Sequence, residues 1–191
     1  TELTSNPAQG DVPYGTLTTM SESPFRFGLI YVGTDDGMIH LSKDGGYTFT
    51  LLSAKLPKGL YVSRVLASAY SESRVYATLN GYRNDHFNAY VYQSDDYGTT
   101  WKQIMKDLPS EPVNVIKEDA VSEQVLYVGT DGGLYVSLDG GNSSMAWTKG
   151  LPASVPVHDL EIHPRDHEII LGTHGRSLYV GKLDALRKQL K

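Results

Sequence analysis

The sequence contains no cysteine among its 191 residues. A disulfide framework and a thiolate metal site are therefore both excluded. No apolar run approaches the roughly 20 residues that a membrane-spanning helix needs, so we expect no membrane insertion. Basic residues are scarce, with 17 Lys and Arg against 22 Asp and Glu and a formal net charge of −5. We expect no nucleic-acid partner, because neutralising phosphates requires a basic face.

Glycine and tyrosine, in contrast, are plentiful, with 19 and 13 copies. This composition is typical of short β-strands joined by tight turns. The apolar fraction of 40% and the charged fraction of 20% are those of a globular protein. The lack of cysteine is compatible with the cytoplasm and equally with a secreted bacterial protein, so it does not decide the compartment.

The pattern Ser-x-Asp-x-Gly, followed by an aromatic residue, occurs three times. Its members are Ser42, Asp44, Gly46 and Phe49 in the first copy, Ser94, Asp96, Gly98 and Trp101 in the second, and Ser137, Asp139, Gly141 and Trp147 in the third. In the third copy the aromatic residue comes three positions late, after an insertion. Self-similarity at an interval of about 40 to 50 residues indicates a repeat architecture.

Around each motif the same order of four short β-rich runs recurs. We therefore predict an all-β fold of four four-stranded antiparallel meanders, the last incomplete, which are blades of a β-propeller. The predicted blades cover about residues 12–57, 58–109, 110–152 and 153–183. Residues 1–11 are a lead-in or a strand of a neighbouring blade, and 184–191 are a short basic tail. An unclosed sandwich or two tandem β domains are the alternatives, and any strand order within a repeat other than a simple meander would contradict the propeller.

The fourth repeat departs from the pattern. Gly181-Lys182-Leu183 stands where Ser-x-Asp is expected, and no fourth strand follows it. We therefore expect these blades to be part of a larger propeller with an open edge. The remaining blades of a parent chain, or a second copy of this chain, would cover that edge.

The motif residues have a structural interpretation. Serine and aspartate side chains accept hydrogen bonds from turn backbone, glycine supplies a positive φ, and the aromatic residue packs into the blade. The three aspartates lie one per blade, so they are too far apart to bind one metal ion together. A calcium ion at a single motif is the alternative, but one carboxylate is a poor shell for it. We expect no cofactor and no metal.

These motifs resemble the Asp-box, or BNR repeat, of sialidases, xyloglucan-cleaving glycosidases and sortilin-type propellers. Longer stretches, among them residues 31–37, 80–85, 155–160 and 172–176, resemble the C-terminal part of large secreted bacterial proteins labelled glycosyl hydrolase or sortilin-like. The resemblance implies a propeller that is secreted, periplasmic or on the bacterial cell surface. It implies little about function, because function is carried by sites and not by the scaffold.

In a meandering blade the turn from the second to the third strand lies on the edge opposite the motif. Four such turns therefore share one edge, at Asp35-Asp36, residues 81–88, Asp131-Gly132 and residues 174–176. Loops on a rigid scaffold often carry binding residues. With the innermost strands, they supply the candidate ligand-binding residues Arg64, Tyr82, Arg83, His86, His158, His174 and Arg176. The plainer interpretation is solvated turns and paired charges in the channel, with histidines that are structural.

Two functions remain open, and the sequence does not decide whether the chain is an enzyme. The favoured one is a binding or scaffold module for a glycan or a peptide, because no carboxylate pair is evident. The alternative is part of a glycoside hydrolase, which needs two carboxyl groups about 5–5.5 Å or about 6.5–9.5 Å apart. Its candidate catalytic residues are Asp35, Asp36, Asp85, Asp131 and Asp159. A fragment that only completes a parent propeller is a third possibility.

Overall fold

The computed structural model describes residues 15–188, which form four antiparallel sheets. The first sheet contains β1 (Leu17–Glu22), β2 (Ile30–Thr34), β3 (Ile39–Ser42) and β4 (Thr50–Leu51), and the second contains β5 (Tyr61–Ala67), β6 (Val75–Gly81), β7 (His86–Ser94) and β8 (Lys102–Gln103). The third contains β9 (Val113–Glu118), β10 (Leu126–Thr130), β11 (Leu134–Ser137) and β12 (Met145–Trp147), and the fourth contains β13 (Val157–His163), β14 (Glu168–Thr173) and β15 (Leu178–Lys182).

Within each sheet every strand pairs with the next strand in the chain, so each sheet is a simple meander. This order confirms the predicted four blades, the last with three strands. Residues 1–11, predicted as a lead-in, lie outside the described residues.

The blades stack side by side through their inner strands. Strand β5 packs against β1 and β2, β9 against β5 and β6, and β13 against β9 and β10. Three buried apolar clusters fill the three interfaces. Tyr31, Tyr76 and Tyr127, at equivalent positions of the second strands, are each at most 1% exposed. A sheet that buries both faces against neighbours explains why these second strands are continuous apolar runs.

A β-bulge interrupts the inner strand of every blade at the same place. The pairing shifts register at Thr18, Ser63, Asn114 and His158, each of which follows an aliphatic residue in the first two positions of its strand. In the first three blades the bulged side chain donates a hydrogen bond to the next blade. Its acceptors are the carbonyl oxygens of Val62 at 2.7 Å, Val113 at 2.7 Å and Val157 at 3.2 Å. The bulges thus re-aim one polar side chain per blade across each interface.

The three motifs build the same turn between the third and fourth strands. In each, the serine Oγ donates to the aspartate Oδ1 at 2.7–2.8 Å and accepts from the glycine amide at 2.8 Å. The residue four positions after the aspartate donates its amide to Oδ1 and its hydroxyl to Oδ2. The glycines have φ of 95°, 83° and 88°, a region that favours glycine.

The motif's aromatic residues do not all pack as predicted. Trp101 of the second blade contacts the first blade, donating its indole N–H to the Leu52 carbonyl at 3.2 Å. Phe49 is 48% exposed, since no blade precedes its own among residues 15–188. In the second blade the aromatic residue therefore joins two neighbouring blades.

The segment predicted as a basic tail contains the helix α1 (Asp184–Arg187). Leu183 and Leu186 are buried in the interface between the third and fourth blades. The Arg187 guanidinium donates to the Asp119 carboxylate at 2.9 Å, and that carboxylate also accepts from the Tyr127 hydroxyl at 2.8 Å. Helix α1 is thus fixed to the third blade. None of the described helices is long and apolar enough to cross a membrane.

Candidate functional site

A pocket of about 590 Å³ lies on the edge of the propeller opposite the motif turns. We call this edge the pocket rim; it carries the β2–β3, β6–β7, β10–β11 and β14–β15 turns. Three blades line the pocket, with Tyr61, Asn80, Tyr82 and Arg83 from the second, Asn114 and Asp131 from the third, and Pro156, His158 and His174 from the fourth. The rim that the sequence selected therefore contains a concave site.

A row of hydrogen bonds fixes the floor of the pocket. The side-chain amide of Asn80 donates from Nδ2 to Asn114 Oδ1 at 2.9 Å. The side-chain amide of Asn114 in turn donates from Nδ2 to Asp131 Oδ1 at 2.9 Å. Asn114 also holds the next blade through the Val157 carbonyl and is 9% exposed. Because each member is fixed by its neighbour, the row presents planar polar groups in one arrangement, as a preorganised site requires.

The turns that carry the site residues are anchored to the connections between blades. The Asp131 amide donates to the Pro112 carbonyl and the His174 amide to the Pro156 carbonyl, both at 3.1 Å. The longer β6–β7 loop contains a 3-10 turn over residues 82–84, which is tied down by the Asn84 side chain on the Gly59 carbonyl at 2.8 Å. The rim is therefore held by hydrogen bonds within the chain to main-chain carbonyls.

Aromatic side chains form one wall. The Arg83 guanidinium lies 5.1 Å from the centroid of the Tyr61 ring, a cation–π contact. Tyr82 packs edge-on against Phe87, with ring centroids 6.1 Å apart, and remains 62% exposed. This wall offers a ring surface and a guanidinium without an ion-pair partner among residues 15–188.

His158 and His174 form the opposite wall. Their ring centroids lie 5.2 Å apart at a tilt of 32°. Neither imidazole makes a hydrogen bond to any residue in the described range, so both retain their hydrogen-bonding capacity for a ligand. Residues 15–188 contain no group of three or more His, Asp or Glu side chains that could hold a metal ion.

The other candidate binding residues lie elsewhere. Arg64 forms an ion pair with Asp159 at 2.6 Å, joining the inner strands of the second and fourth blades. His86 stacks on Tyr90 and shares a 2.8 Å hydrogen bond with its hydroxyl. Arg176 is exposed and does not line the pocket. Only Tyr82, Arg83, His158 and His174 of the predicted set converge on one site.

The five candidate catalytic carboxylates do not lie together in one site. Asp35 accepts from the Gly15 and Thr16 amides at 2.8 and 2.9 Å, and Asp36 from the Thr34 hydroxyl. Asp85 is an exposed residue with φ of 53° that closes the β6–β7 loop. Asp159 is bound to Arg64, which leaves Asp131 as the only carboxylate among the described residues that line the pocket.

The motif aspartates lie on the opposite rim, where their hydrogen bonds dominate their chemistry. The Thr48 hydroxyl and amide, and then the Ser42 hydroxyl, lower the pKa of Asp44 to about 2. The Thr100 amide and hydroxyl lower the pKa of Asp96 to about 2, and the Ser143 hydroxyl does the same for Asp139. Carboxylates held ionised in this way serve the turn and are unsuited to act as general acids.

Sequence reasoning did not select Tyr61, Asn80 or Pro156. Tyr61 begins an inner strand and Asn80 ends a second strand, positions that look like ordinary strand ends. In the structure Tyr61 pairs with Asn80 at the end of the sheet, two residues before the bulge at Ser63. Residues that flank a bulge at a sheet end are candidates for a site.

Comparison with known proteins shows the fold. No family model and no curated protein matches the chain. Its structure is similar to the GH74 xyloglucanase from Xanthomonas campestris, with a TM-score of 0.68 and 17% identity over 86% of this chain and 29% of that one. YCF48 bound to D1 peptide matches with a TM-score of 0.55 and 15% identity over 87% of this chain and 65% of that one.

A third similar structure is the extracellular domain of a putative hybrid two component system from B. thetaiotaomicron, with a TM-score of 0.63 and 14% identity over 86% of this chain and 20% of that one. The chain thus spans less than a third of the xyloglucanase and about two thirds of YCF48. At such identities the likeness concerns the fold alone. The chain is a partial β-propeller.

Proposed function

We propose that this chain is part of a propeller module that binds an oligosaccharide in the pocket between the second, third and fourth blades. The observation that carries the proposal is the combination of an exposed aromatic wall with a fixed row of planar polar groups. A sugar ring presents C–H bonds on its faces and hydroxyls at its edge. Tyr82 suits the face, and Asn80, Asn114 and Asp131 suit the hydroxyls.

The number of carboxylates that line the pocket favours binding over hydrolysis. Glycoside hydrolysis needs two carboxyl groups at a defined separation. Asp131 is the single carboxylate among the described lining residues, and Asp159 is paired with Arg64 at 2.6 Å. A pocket with one carboxylate can orient a sugar hydroxyl but lacks the acid and base of a hydrolase.

The geometry of the rim favours a glycan over a peptide. Peptides that bind sheets usually add a strand to an exposed edge through main-chain hydrogen bonds. The pocket is instead walled by side chains at strand ends, and β6, β10 and β14 are each paired on both sides. The similar propellers include both a xyloglucanase and YCF48 bound to a peptide, so the geometry of the rim carries this choice.

We further propose that the module works outside the cytoplasm. The resemblance of its repeats to secreted bacterial proteins supports this location. One similar structure is an extracellular domain, which points the same way.

Calorimetric titration of the chain with xyloglucan oligosaccharides tests the proposal. We expect Tyr82→Ala to weaken binding at least tenfold, which corresponds to about 1.4 kcal/mol. The matched control is Tyr47→Ala, which removes a tyrosine that is 90% exposed on the opposite rim. Binding that is lost equally in both variants, or seen with a peptide and not with the oligosaccharides, contradicts the proposal. Turnover abolished by Asp131→Asn would support the hydrolase instead.

A further inference from the structure

Arg83 differs from most arginines of the chain because its guanidinium has no hydrogen-bond acceptor. Of the seven arginines that the structure describes, four form ion pairs with carboxylates, namely Arg64, Arg74, Arg165 and Arg187. Arg26 donates to the Lys43 carbonyl at 3.1 Å. Arg83 and Arg176 make neither kind of contact with any described residue, and of these two only Arg83 lines the pocket. The pocket thus contains a guanidinium whose N–H groups are free for a ligand.

The Arg83 guanidinium is nevertheless held in place. It lies 5.1 Å from the centroid of the Tyr61 ring, and attraction to the face of a ring uses none of its N–H donors. Its backbone belongs to the 3-10 turn over residues 82–84, which the Asn84 side chain ties to the Gly59 carbonyl at 2.8 Å. The side chain therefore presents its donors at a defined place in the aromatic wall.

No carboxylate within residues 15–188 neutralises Arg83. Asp131, on the floor of the pocket, accepts from Asn114 at 2.9 Å, and Asp159 is bound to Arg64 at 2.6 Å. Asp85, two residues further along the chain, is exposed and pairs with no cation that the structure describes. The planar fork of a guanidinium fits a carboxylate through two parallel hydrogen bonds, so a carboxylate of the ligand is the group that suits this position.

We propose that the oligosaccharide bound in the pocket is acidic, and that Arg83 binds the carboxylate of a uronate residue. This inference rests on the proposed function, because it assigns the substrate class of the same site. A uronate carries its carboxylate at the edge of a sugar ring whose faces present C–H bonds. Tyr82 and Arg83 are neighbours in one turn, so an exposed aromatic ring for the face and a cation for the edge come from the same element.

Arg83 and Asp131 serve different parts of such a ligand. Asp131 ends the row of polar groups on the floor and suits sugar hydroxyls, whereas Arg83 belongs to the wall. A neutral oligosaccharide keeps the contacts with Tyr82 and the polar row, so it also binds. It lacks the charge-assisted hydrogen bonds to Arg83, and we expect its affinity to be lower by about tenfold or more.

Trigalacturonate and its fully methyl-esterified form test this expectation, because they share one skeleton and differ in charge. In calorimetric titration the wild-type chain should bind the acid at least about tenfold more tightly than the ester. Added salt should narrow this gap by weakening binding of the acid alone. Neither measurement requires a variant.

Arg83→Gln removes the cation, and the acid and the ester should then bind with affinities within about twofold of each other. Arg176→Gln is the matched control, because it removes the other unpaired arginine of the pocket rim, which does not line the pocket. It should retain the wild-type gap. Arg83 is exposed, so we expect Arg83→Gln to keep the wild-type Tm.

Equal wild-type affinities for the acid and the ester would overturn this inference and leave the proposed function standing. A tenfold gap that survives in Arg83→Gln would also overturn it, because another group would then bind the carboxylate. If the acid, the ester and the xyloglucan oligosaccharides all fail to bind, the proposed function fails, and this inference fails with it.

Discussion

The exchange of Leu134 and Leu178 for alanine offers a matched test of how the blades are held together. The two leucines occupy the same repeat position, at the start of the third strand, and each pairs with a glycine of the second strand. Leu134 is 2% exposed in the interface with the fourth blade, whereas Leu178 is 69% exposed. Only the environment differs between the two substitutions.

The structure sets the expected magnitudes. Burial of Leu134 means that its truncation removes apolar contacts and leaves a cavity, at a cost of about 2–5 kcal/mol in the free energy of unfolding. A loss of about 3 kcal/mol lowers the Tm of a domain of this size by roughly 6–12 °C. Leu178 loses little on truncation in the isolated chain, and we expect a change within about 0.5 kcal/mol.

Urea unfolding followed by circular dichroism, with Tm from calorimetry, measures both values. Similar losses for the two variants would refute the reasoning, because the face at Leu178 would then be covered in the isolated chain. A negligible loss for Leu134→Ala would refute the stacking of the third and fourth blades.

Three further predictions concern the C-terminal helix and the motif turns. Arg187→Ala should cost about 3 kcal/mol in urea unfolding, because it leaves the Asp119 carboxylate buried at 1% exposure with a lost partner. Gly98→Ala should cost about 1–3 kcal/mol, since its φ is 83° and a Cβ would clash with Leu52 Cδ1. The hydrogen bond from the Thr100 amide to Asp96 should persist at pH 4 and be lost as pH falls through about 2, seen in the amide chemical shift.

The sign of the pH effect follows from the pKa of Asp96, which lies below its unfolded value of about 3.9. The turn's contribution to stability is therefore fully present above about pH 4. An amide shift with a midpoint near pH 4 would contradict it.

Gly45→Ala is the control for Gly98→Ala, because Gly45 also has a positive φ, of 77°, but open space around it. Equal costs for the two glycines would contradict the proposed clash, and a neutral Arg187→Ala would mean that Asp119 does not need its guanidinium.

The blade order and the turns were predictable because their signals are local. A motif such as Ser94-x-Asp96-x-Gly98 specifies its turn through contacts within five residues, all of which are visible in the sequence. The alternation of strands and turns at a regular interval fixed the meander in the same way. Such features do not depend on distant parts of the chain.

Contacts between blades were less predictable. The ion pair of Arg64 with Asp159 spans 95 positions in the chain and skips the third blade, so spacing alone could not reveal it. The helix at residues 184–187 is too short for a periodic signal, and it is held by Arg187 on the distant Asp119.

The set of side chains that line the pocket was also only partly predictable from the sequence. The four turns could be placed on one rim from topology, but which side chains converge there depends on how the blades twist. The bulges at Ser63, Asn114 and His158 re-aim their side chains and cannot be read from alternation, because an extra residue breaks the period of two.

Backbone amide chemical-shift mapping during titration with xyloglucan oligosaccharides tests the central claim most directly, because it compares the two rims in one sample. The claim is that the pocket rim binds the ligand and the motif rim only holds the blades. The expected result is saturable shifts at Tyr82, Asp131 and His174, with the amides after Asp44 and Asp96 unchanged. Shifts confined to the motif turns, or no saturable shift on either rim, would contradict the account.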